Sequence, residues 1–390
     1  MLVGLGAALA GIGTSGASGF TLSTPVKIGG AYEIVGESAV ATNYANDGVR
    51  MAIAAINRSG GIGGKPVQYV REPLSPITLG KAPGQFLNLV QQSPTVIIGL
   101  EATAQLPVLQ SEINQAKIPI LAQTPANPQA LYNGPQSSQY LWFVPSSSSQ
   151  DAQAAVNYYV KSLKIKKIGI MGTTTSYGTG SGQASIKALT SYGLKPVAVK
   201  YHSSTATDLT STILSMKSAG AKAILDWDYP NPLAVLLKQA PQNGLNVPIM
   251  SSDSGSIVVT YHLASGTALN NLYVTPGGCA PGASGVPKAL TAFGKAYETK
   301  YKTAVTSLAA NAYDSVFIYK AAVENAKSDA PAKVNAVLKS LSVNSGGVVC
   351  GPYRTDGAHL MTHTVAIAKY SSTGASKLLK TVKLPPVAKQ

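Results

Sequence analysis

Charged side chains are scarce in this 390-residue chain, and acidic ones are the scarcer kind. Charged residues make up 12% of the sequence, with 31 Lys and Arg against 16 Asp and Glu, for a formal net charge of +15. The basic residues are dispersed, without an arginine-rich arm, an RNP-like aromatic pattern or zinc-finger spacing. We therefore expect no nucleic-acid partner but a solvated basic surface, which would suit contact with an acidic cell envelope. The 45% hydrophobic content excludes general disorder.

Long apolar runs and cysteines are also few. After residue 25 no stretch of about 18 uninterrupted apolar residues occurs, which predicts a soluble mature protein. We interpret residues 1–25 as a secretion signal, because their small, apolar residues form a run shorter than a membrane span; a disordered leader is the alternative. The two cysteines, Cys279 and Cys350, are compatible with one disulfide in an oxidising compartment, and we predict that bond.

Common catalytic and cofactor motifs are missing as well. The sequence contains no G-x-S-x-G elbow, no Walker A loop and no C-x-x-C pair. His359 and His363 are four residues apart, but residues 362–368 alternate like a strand rather than a helix, so the spacing does not predict a metal site. We expect no enzymatic activity, no metal and no cofactor.

What the sequence does contain is a clear βα unit at residues 26–67. Apolar residues from Val26 to Ala31 suit a short strand, and those from Val49 to Ile56 recur at helical spacing. The following residues, NRSGGIGGKP at 57–66, tolerate positive φ and end in a proline that stops further winding.

Strand-like runs then alternate with amphipathic helical stretches along the chain. The runs are Val67–Val70, Thr95–Gly99, Ile118–Leu121, Ile168–Met171, Val197–Tyr201, Ala223–Asp226 and Val247–Met250. This order predicts an α/β fold with parallel sheets covered by helices and a ligand at the carboxyl ends of the strands.

From about Val26 to about Lys380 the chain resembles the branched-chain amino-acid binding proteins of ABC transporters, which have the type I periplasmic binding fold. The glycine-rich turn at 57–66 is the most recognisable part. The resemblance implies two Rossmann-like lobes with parallel sheets, joined by three crossover segments that act as a hinge. Turn-rich stretches then divide the chain into lobe one, residues 26–145 and 277–350, and lobe two, residues 146–276 and 351–390.

The resemblance assigns the ligand's carboxylate to two loops of lobe one. Ala102 and Thr103 align with the family's small-residue and hydroxyl cluster, where a helix start can also bind an anion. Glu101 departs from that pattern by placing a negative charge close by. Thr124 and Ala126 align with the second contact. The alternatives are an ordinary N-cap at Thr103 and a simple proline-bounded turn around Thr124.

Lobe two contributes the remaining ligand contacts by the same analogy. Tyr177 is a pocket aromatic in a Tyr-Gly loop, Tyr229 aligns with a wall residue, and Asp253 aligns with the acid that pairs with the ligand's α-ammonium. The alternatives are a surface tyrosine that caps the helix at Tyr177 and a loop N-cap at Asp253.

The sequence thus predicts a secreted, periplasmic or cell-envelope solute-binding protein that captures an amino acid or related small polar ligand. It would act as a monomer and deliver the ligand to a membrane ABC permease. One rival is a ligand-sensing receptor module of the same fold, and another is a binder of aromatic carboxylates or amides.

Overall fold

Two parallel β-sheets with helices around them form the framework of the chain. The computed structural model describes residues 20–33, 39–75, 78–124 and 138–386. The predicted leader as far as Gly19 and the predicted contact Ala126 lie outside these residues. Among the described residues, no helix is both long and apolar enough to cross a membrane.

The first sheet is built from the N-terminal part of the chain and has the strand order β2-β1-β3-β4-β5, with all neighbours parallel. Its strands are β1 (Val26–Tyr32), β2 (Val67–Pro73), β3 (Val96–Gly99), β4 (Ile120–Ala122) and β5 (Leu141–Phe143).

The second sheet has seven strands in the order β14-β13-β10-β9-β8-β6-β7. Strand β13 runs antiparallel to both of its neighbours, and the other pairs are parallel. Strands β11 (Ser342–Val343) and β12 (Tyr353–Arg354) form a separate antiparallel pair. The seven strands are β6 (Ile168–Thr173), β7 (Val199–His202), β8 (Ala223–Trp227), β9 (Ile249–Ser251), β10 (Leu272–Val274), β13 (Thr364–Tyr370) and β14 (Ser376–Lys383).

Eleven α-helices occur in the described part of the chain. They are α1 (Ala39–Arg58), α2 (Ala82–Gln91), α3 (Gln105–Ala116), α4 (Ser148–Asn157), α5 (Ser176–Thr190), α6 (Thr210–Ser218), α7 (Pro230–Gln242), α8 (Ser254–Thr260), α9 (Lys288–Tyr301), α10 (Ser307–Ala326) and α11 (Pro331–Leu338). Each strand-like run predicted from sequence coincides with a strand to within three residues at either end, so the βα alternation is confirmed.

The glycine-rich turn after α1 has the backbone that its sequence predicts. Gly60, Gly61, Gly63 and Gly64 all have positive φ, and a Cβ at Gly61 would lie 1.9 Å from the carbonyl oxygen of Lys65. Positive φ is easily accessible only to glycine, so this tight reversal requires it. The turn returns the chain from α1 into β2, beside β1.

Helices from late in the sequence complete the core of the first sheet. Helix α1 packs mainly against α10, and the buried cluster that contains Val49 and Ile56 of α1 also contains Val316 of α10. Tyr353 and Met361 belong to the same cluster. The apolar face of α1 is therefore covered in part by α10, whose Val316 is more than 250 positions from Val49 and Ile56 in the sequence.

Three connecting segments run side by side between the two sheets. The hydroxyl of Thr362 donates to the carbonyl of Val144 at 2.6 Å, the N–H of Ser146 donates to the carbonyl of Gly277 at 3.4 Å, and the N–H of Ala366 donates to the carbonyl of Gly278 at 3.2 Å. These bonds fix the segments to one another.

The predicted disulfide between Cys279 and Cys350 is present, with the Cα atoms 5.4 Å apart. It joins the second connecting segment to the stretch before β12. The carboxylate of Asp314 in α10 holds that stretch by accepting from the N–H groups of Val349 and Cys350, both at 2.7 Å. Since Asp314 is buried, these bonds also satisfy a carboxyl that would otherwise be unpaired.

Candidate functional site

Five loops that follow the carboxyl ends of parallel strands carry the candidate site. The loops after β3 and β4 belong to the first sheet, and those after β6, β8 and β9 belong to the second. Ligands of open α/β sheets bind at such ends, because the loops there converge and the helix starts present free N–H groups.

The loop after β3 turns sharply and directs Glu101 away from the strand. Gly99 has φ 142° and Leu100 has φ 58°, an unusual backbone for leucine. The amide N–H of Ala102 donates to Gln105 Oε1 at 3.0 Å, so this predicted anion contact already has a partner. The first turn of α3 is therefore less open to a ligand anion than the sequence predicted.

Thr103 and Thr124 are brought together, as their common assignment requires. Their Oγ1 atoms are 3.3 Å apart, and either hydroxyl can donate. The N-cap of α3 is Ala104, without a side-chain bond, so the alternative of Thr103 as an N-cap is wrong. Two adjacent hydroxyls that only bond one another can turn toward a ligand oxygen with little loss.

Tyr177 is packed into the second-sheet side of the site. Its hydroxyl lies 2.7 Å from Ser252 Oγ, its ring stacks on Tyr229 with centroids 5.7 Å apart, and it meets Trp227 edge-on. Thr175 is the N-cap of α5, so Tyr177 does not cap that helix. The ring of Tyr229 is 38% exposed, which leaves an aromatic surface available beside the buried one.

Asp253 follows β9 and stands at the start of α8, where its side chain makes no capping hydrogen bond. Burial raises the pKa of Asp253, while hydrogen bonds from the Ser252 side chain and from the backbone at the helix start oppose the rise. Asp253 thus occupies the N-cap position of α8, as the alternative predicts, but without the capping hydrogen bond. A half-buried carboxylate that is not used as a cap is suited to a ligand ammonium.

Glu101 follows a strand of the first sheet and Asp253 a strand of the second, yet the charge of one acts on the other. Burial raises the pKa of Glu101 to about 8, and the charge of Asp253 adds to the rise. A nearby like charge raises the pKa of a carboxyl, so the loops after β3 and β9 approach one another.

An aromatic contact that the sequence reasoning missed bridges the same cleft. Tyr44 of α1 meets Tyr261 at the end of α8 edge-on, with ring centroids 5.6 Å apart. The charge of Glu101 contributes to raising the pKa of Tyr261, which places the pair near that carboxyl. Tyr44 sits on a helix of apolar periodicity and is indistinguishable there from a core residue. Only its contact with Tyr261, which belongs to the second-sheet side, identifies Tyr44 as a residue of the cleft.

A cavity of about 500 Å³ lies next to this aromatic pair and is separate from the predicted residues. It is lined by residues of α8 and the β13–β14 turn on one side and by residues 298–305 on the other, including His262, Glu298 and Lys302. None of the predicted site residues lines it, so the chemistry described above belongs to the cleft and not to this cavity.

Comparison with known proteins supplies independent information. A family model described as periplasmic binding protein matches residues 25–375. Leu/Ile/Val-binding protein homolog 8 of Brucella suis biovar 1 is 26% identical over 252 residues, which are 62% of this chain and 60% of that protein. The chain thus spans less than two thirds of the length of this curated relative.

Two solved structures are similar over nearly the whole chain. The branched-chain amino acid transporter substrate binding protein LivJ from Streptococcus pneumoniae, in complex with isoleucine, has a TM-score of 0.75 and 23% identity over 92% of this chain and 100% of its own. A solute binding protein of an ABC transporter from R. palustris, in complex with benzoate, has a TM-score of 0.76 and 16% identity, with coverages of 93% and 98%. At these identities the likeness shows the fold.

Proposed function

The chain belongs to the periplasmic binding protein family, and on that premise we propose that it captures an amine-bearing solute, an amino acid or a close relative, in the cleft and delivers it to an ABC permease. The family and the similar structures are substrate-binding proteins of transporters, not enzymes. The proposal therefore assigns this chain no reaction. It places the protein outside the cytoplasm, in the periplasm or cell envelope, where it acts as a monomer with the membrane permease as its partner.

The observation that carries the proposal is the placement of Asp253. Its half-buried side chain follows Ser252, which is hydrogen-bonded to Tyr177, and its charge acts on Glu101 in the loop after β3. An ammonium in this cleft would form a charge-assisted hydrogen bond with it, while the hydroxyls of Thr103 and Thr124 would donate hydrogen bonds to the carboxylate at the opposite end of the ligand. Tyr177 and Tyr229 would then enclose the rest of the ligand.

Capture requires the two sheets to move relative to each other, and we propose that they belong to two lobes that close on the ligand. Lobe one would consist of residues 26–145 and 277–350, and lobe two of residues 146–276 and 351–390. The one change is that the third crossover falls at residues 361–364. The support for this shift is that Tyr353 and Met361 pack in the core of the first sheet, whereas β13 joins the second.

The test begins with ligand released from the purified protein by denaturation and identified by mass spectrometry. Calorimetry then compares an amino acid with its des-amino analogue for the unmodified protein and for Asp253→Asn. We expect the substitution to weaken the amino acid by roughly 2–5 kcal/mol and to leave the analogue nearly unchanged, because only the ammonium loses a partner. Asp329→Asn, in the loop between α10 and α11, is the matched control.

Two other results would redirect the proposal. Equal losses for both ligands would give Asp253 a structural role. Tight binding of the des-amino compound by the unmodified protein would favour a carboxylate ligand, the class to which benzoate in the R. palustris complex belongs. A role in sensing rather than transport would be favoured if ligand-loaded protein failed to stimulate a reconstituted permease.

A further inference from the structure

The carboxyl of Glu101 has no role in binding an amino acid with a single ammonium group. The carboxylate-binding role predicted for its loop needs hydrogen-bond donors, yet Glu101 supplies an acceptor. Its Oε1 atom is buried and has no hydrogen-bond partner among the described residues. A buried acceptor without a donor is costly, roughly 1–3 kcal/mol, so its presence in the cleft calls for a donor from outside the chain.

Tyr32 gives a second, independent sign of a vacant polar position. It ends β1, its side chain is only 2% exposed, and its hydroxyl has no partner in the described part of the chain. The charge of Glu101 contributes to raising the pKa of Tyr32, which places this hydroxyl near the same carboxyl. The Glu101 carboxyl and the Tyr32 hydroxyl thus lie near one another on the first-sheet side of the cleft, each with a polar atom that lacks a hydrogen-bond partner among the described residues.

The charge that acts on the pKa of Glu101 is acidic, and the bases Arg50 and Arg71 act instead on the nearby Tyr69. Within the described residues, no basic side chain contributes to the pKa of Glu101 or of Asp253. Asp151 also responds to the charge of Asp253, but it is already bonded to the Ser146 hydroxyl at 2.6 Å. Tyr261, which meets Tyr44 edge-on, responds to the charge of Glu101, and aromatic faces attract cations electrostatically.

We propose that Glu101 is a specificity-determining residue that binds a second cationic nitrogen, so that the ligand is an amino acid with a basic side chain. This inference rests on the proposed function, since it assigns the α-ammonium to Asp253. A ligand with one ammonium would leave Glu101 buried without a partner, whereas a ligand with two neutralises both carboxyls and fills the cleft from one side to the other.

Lysine and norleucine test the proposal directly, because norleucine has the same carbon chain and lacks only the ε-ammonium. Calorimetry on the unmodified protein should give lysine an affinity roughly 30-fold or more above that of norleucine. Glu101→Gln keeps the shape of the side chain and should abolish this preference by weakening lysine alone. Glu298→Gln removes the same charge from an exposed position of α9 and should change neither affinity.

The outcomes separate this inference from the function on which it rests. Equal affinities of the unmodified protein for lysine and norleucine, or tighter binding of norleucine, would overturn the role of Glu101 and leave the amino-acid function intact. Asp253→Asn should weaken both compounds. Failure of the unmodified protein to bind either one would overturn the proposed function and this inference together. The comparison within the unmodified protein holds even if Glu101→Gln folds poorly.

Discussion

Replacing Glu101 by Gln should stabilise the ligand-free protein, and the gain should grow with pH. Burial raises the pKa of Glu101 from its usual 4.5 to about 8, and Asp253 adds to the rise. Between these values the folded chain retains a proton that the unfolded chain releases, so the free energy of unfolding falls as pH rises from about 4.5 to 8. Gln does not ionise, so the Glu101→Gln variant does not lose stability in this way as pH rises.

The magnitude follows from the same pKa. Each tenfold change in proton affinity is worth about 1.4 kcal/mol, which sets an upper limit of roughly 4–5 kcal/mol above pH 8. The side chain is partly exposed, and solvent around it should reduce the gain to about 1–3 kcal/mol. Urea unfolding of ligand-free protein at about pH 5 and about pH 8.5 measures the difference between the variant and the unmodified chain at each pH.

The control is Glu298→Gln, whose carboxylate is exposed and should give no pH-dependent difference. If Glu101→Gln differs from the unmodified protein by the same amount at both pH values, Glu101 is well solvated in the folded state. The reasoning about its burial would then be refuted, and with it the need for a cation to balance it.

Three further results are expected. Replacing Cys279 and Cys350 by Ala should lower the free energy of unfolding by about 2–4 kcal/mol, because the disulfide closes a long loop; identical urea midpoints in the two proteins would contradict this. Tyr177→Phe should weaken ligand binding by about 0.5–1.5 kcal/mol by removing the hydrogen bond to the Ser252 hydroxyl, while Tyr177→Ala should weaken it further; an unchanged affinity in Tyr177→Ala would place the ring outside the contact. Small-angle scattering should show compaction when ligand binds, and an unchanged radius of gyration under saturation would count against lobe closure.

Periodicity was sufficient to predict most strands of the two sheets and their alternation with helices, although β5, β10 and β14 were not predicted. The pattern of apolar residues is local, and runs such as Val67–Val70 and Ala223–Asp226 are strands in the structure because each has one dominant way to bury its side chains. The resemblance to the type I periplasmic binding fold, carried by the turn after α1, is confirmed by the family model.

The parts of the site that sequence did not reveal depend on residues far apart in the chain. In the sequence, Glu101 is only a departure from the family pattern in one loop. Its role in the cleft becomes visible through its interaction with Asp253, which follows a strand of the other sheet. Tyr44 and Tyr261 likewise become notable only through their mutual contact. Hydroxyl positions such as Thr103 were ambiguous between cap and contact, because both uses favour the same residue types at the start of a helix.

The pairing of α1 with α10 has a consequence for how the protein forms during synthesis. A ribosome produces the N-terminal strands and α1 first, but the apolar face of α1 acquires its cover only when residues 307–326 have emerged. Contacts so distant in sequence close late, because the intervening chain must be ordered before they are made. The nascent first sheet therefore stays incomplete through most of translation.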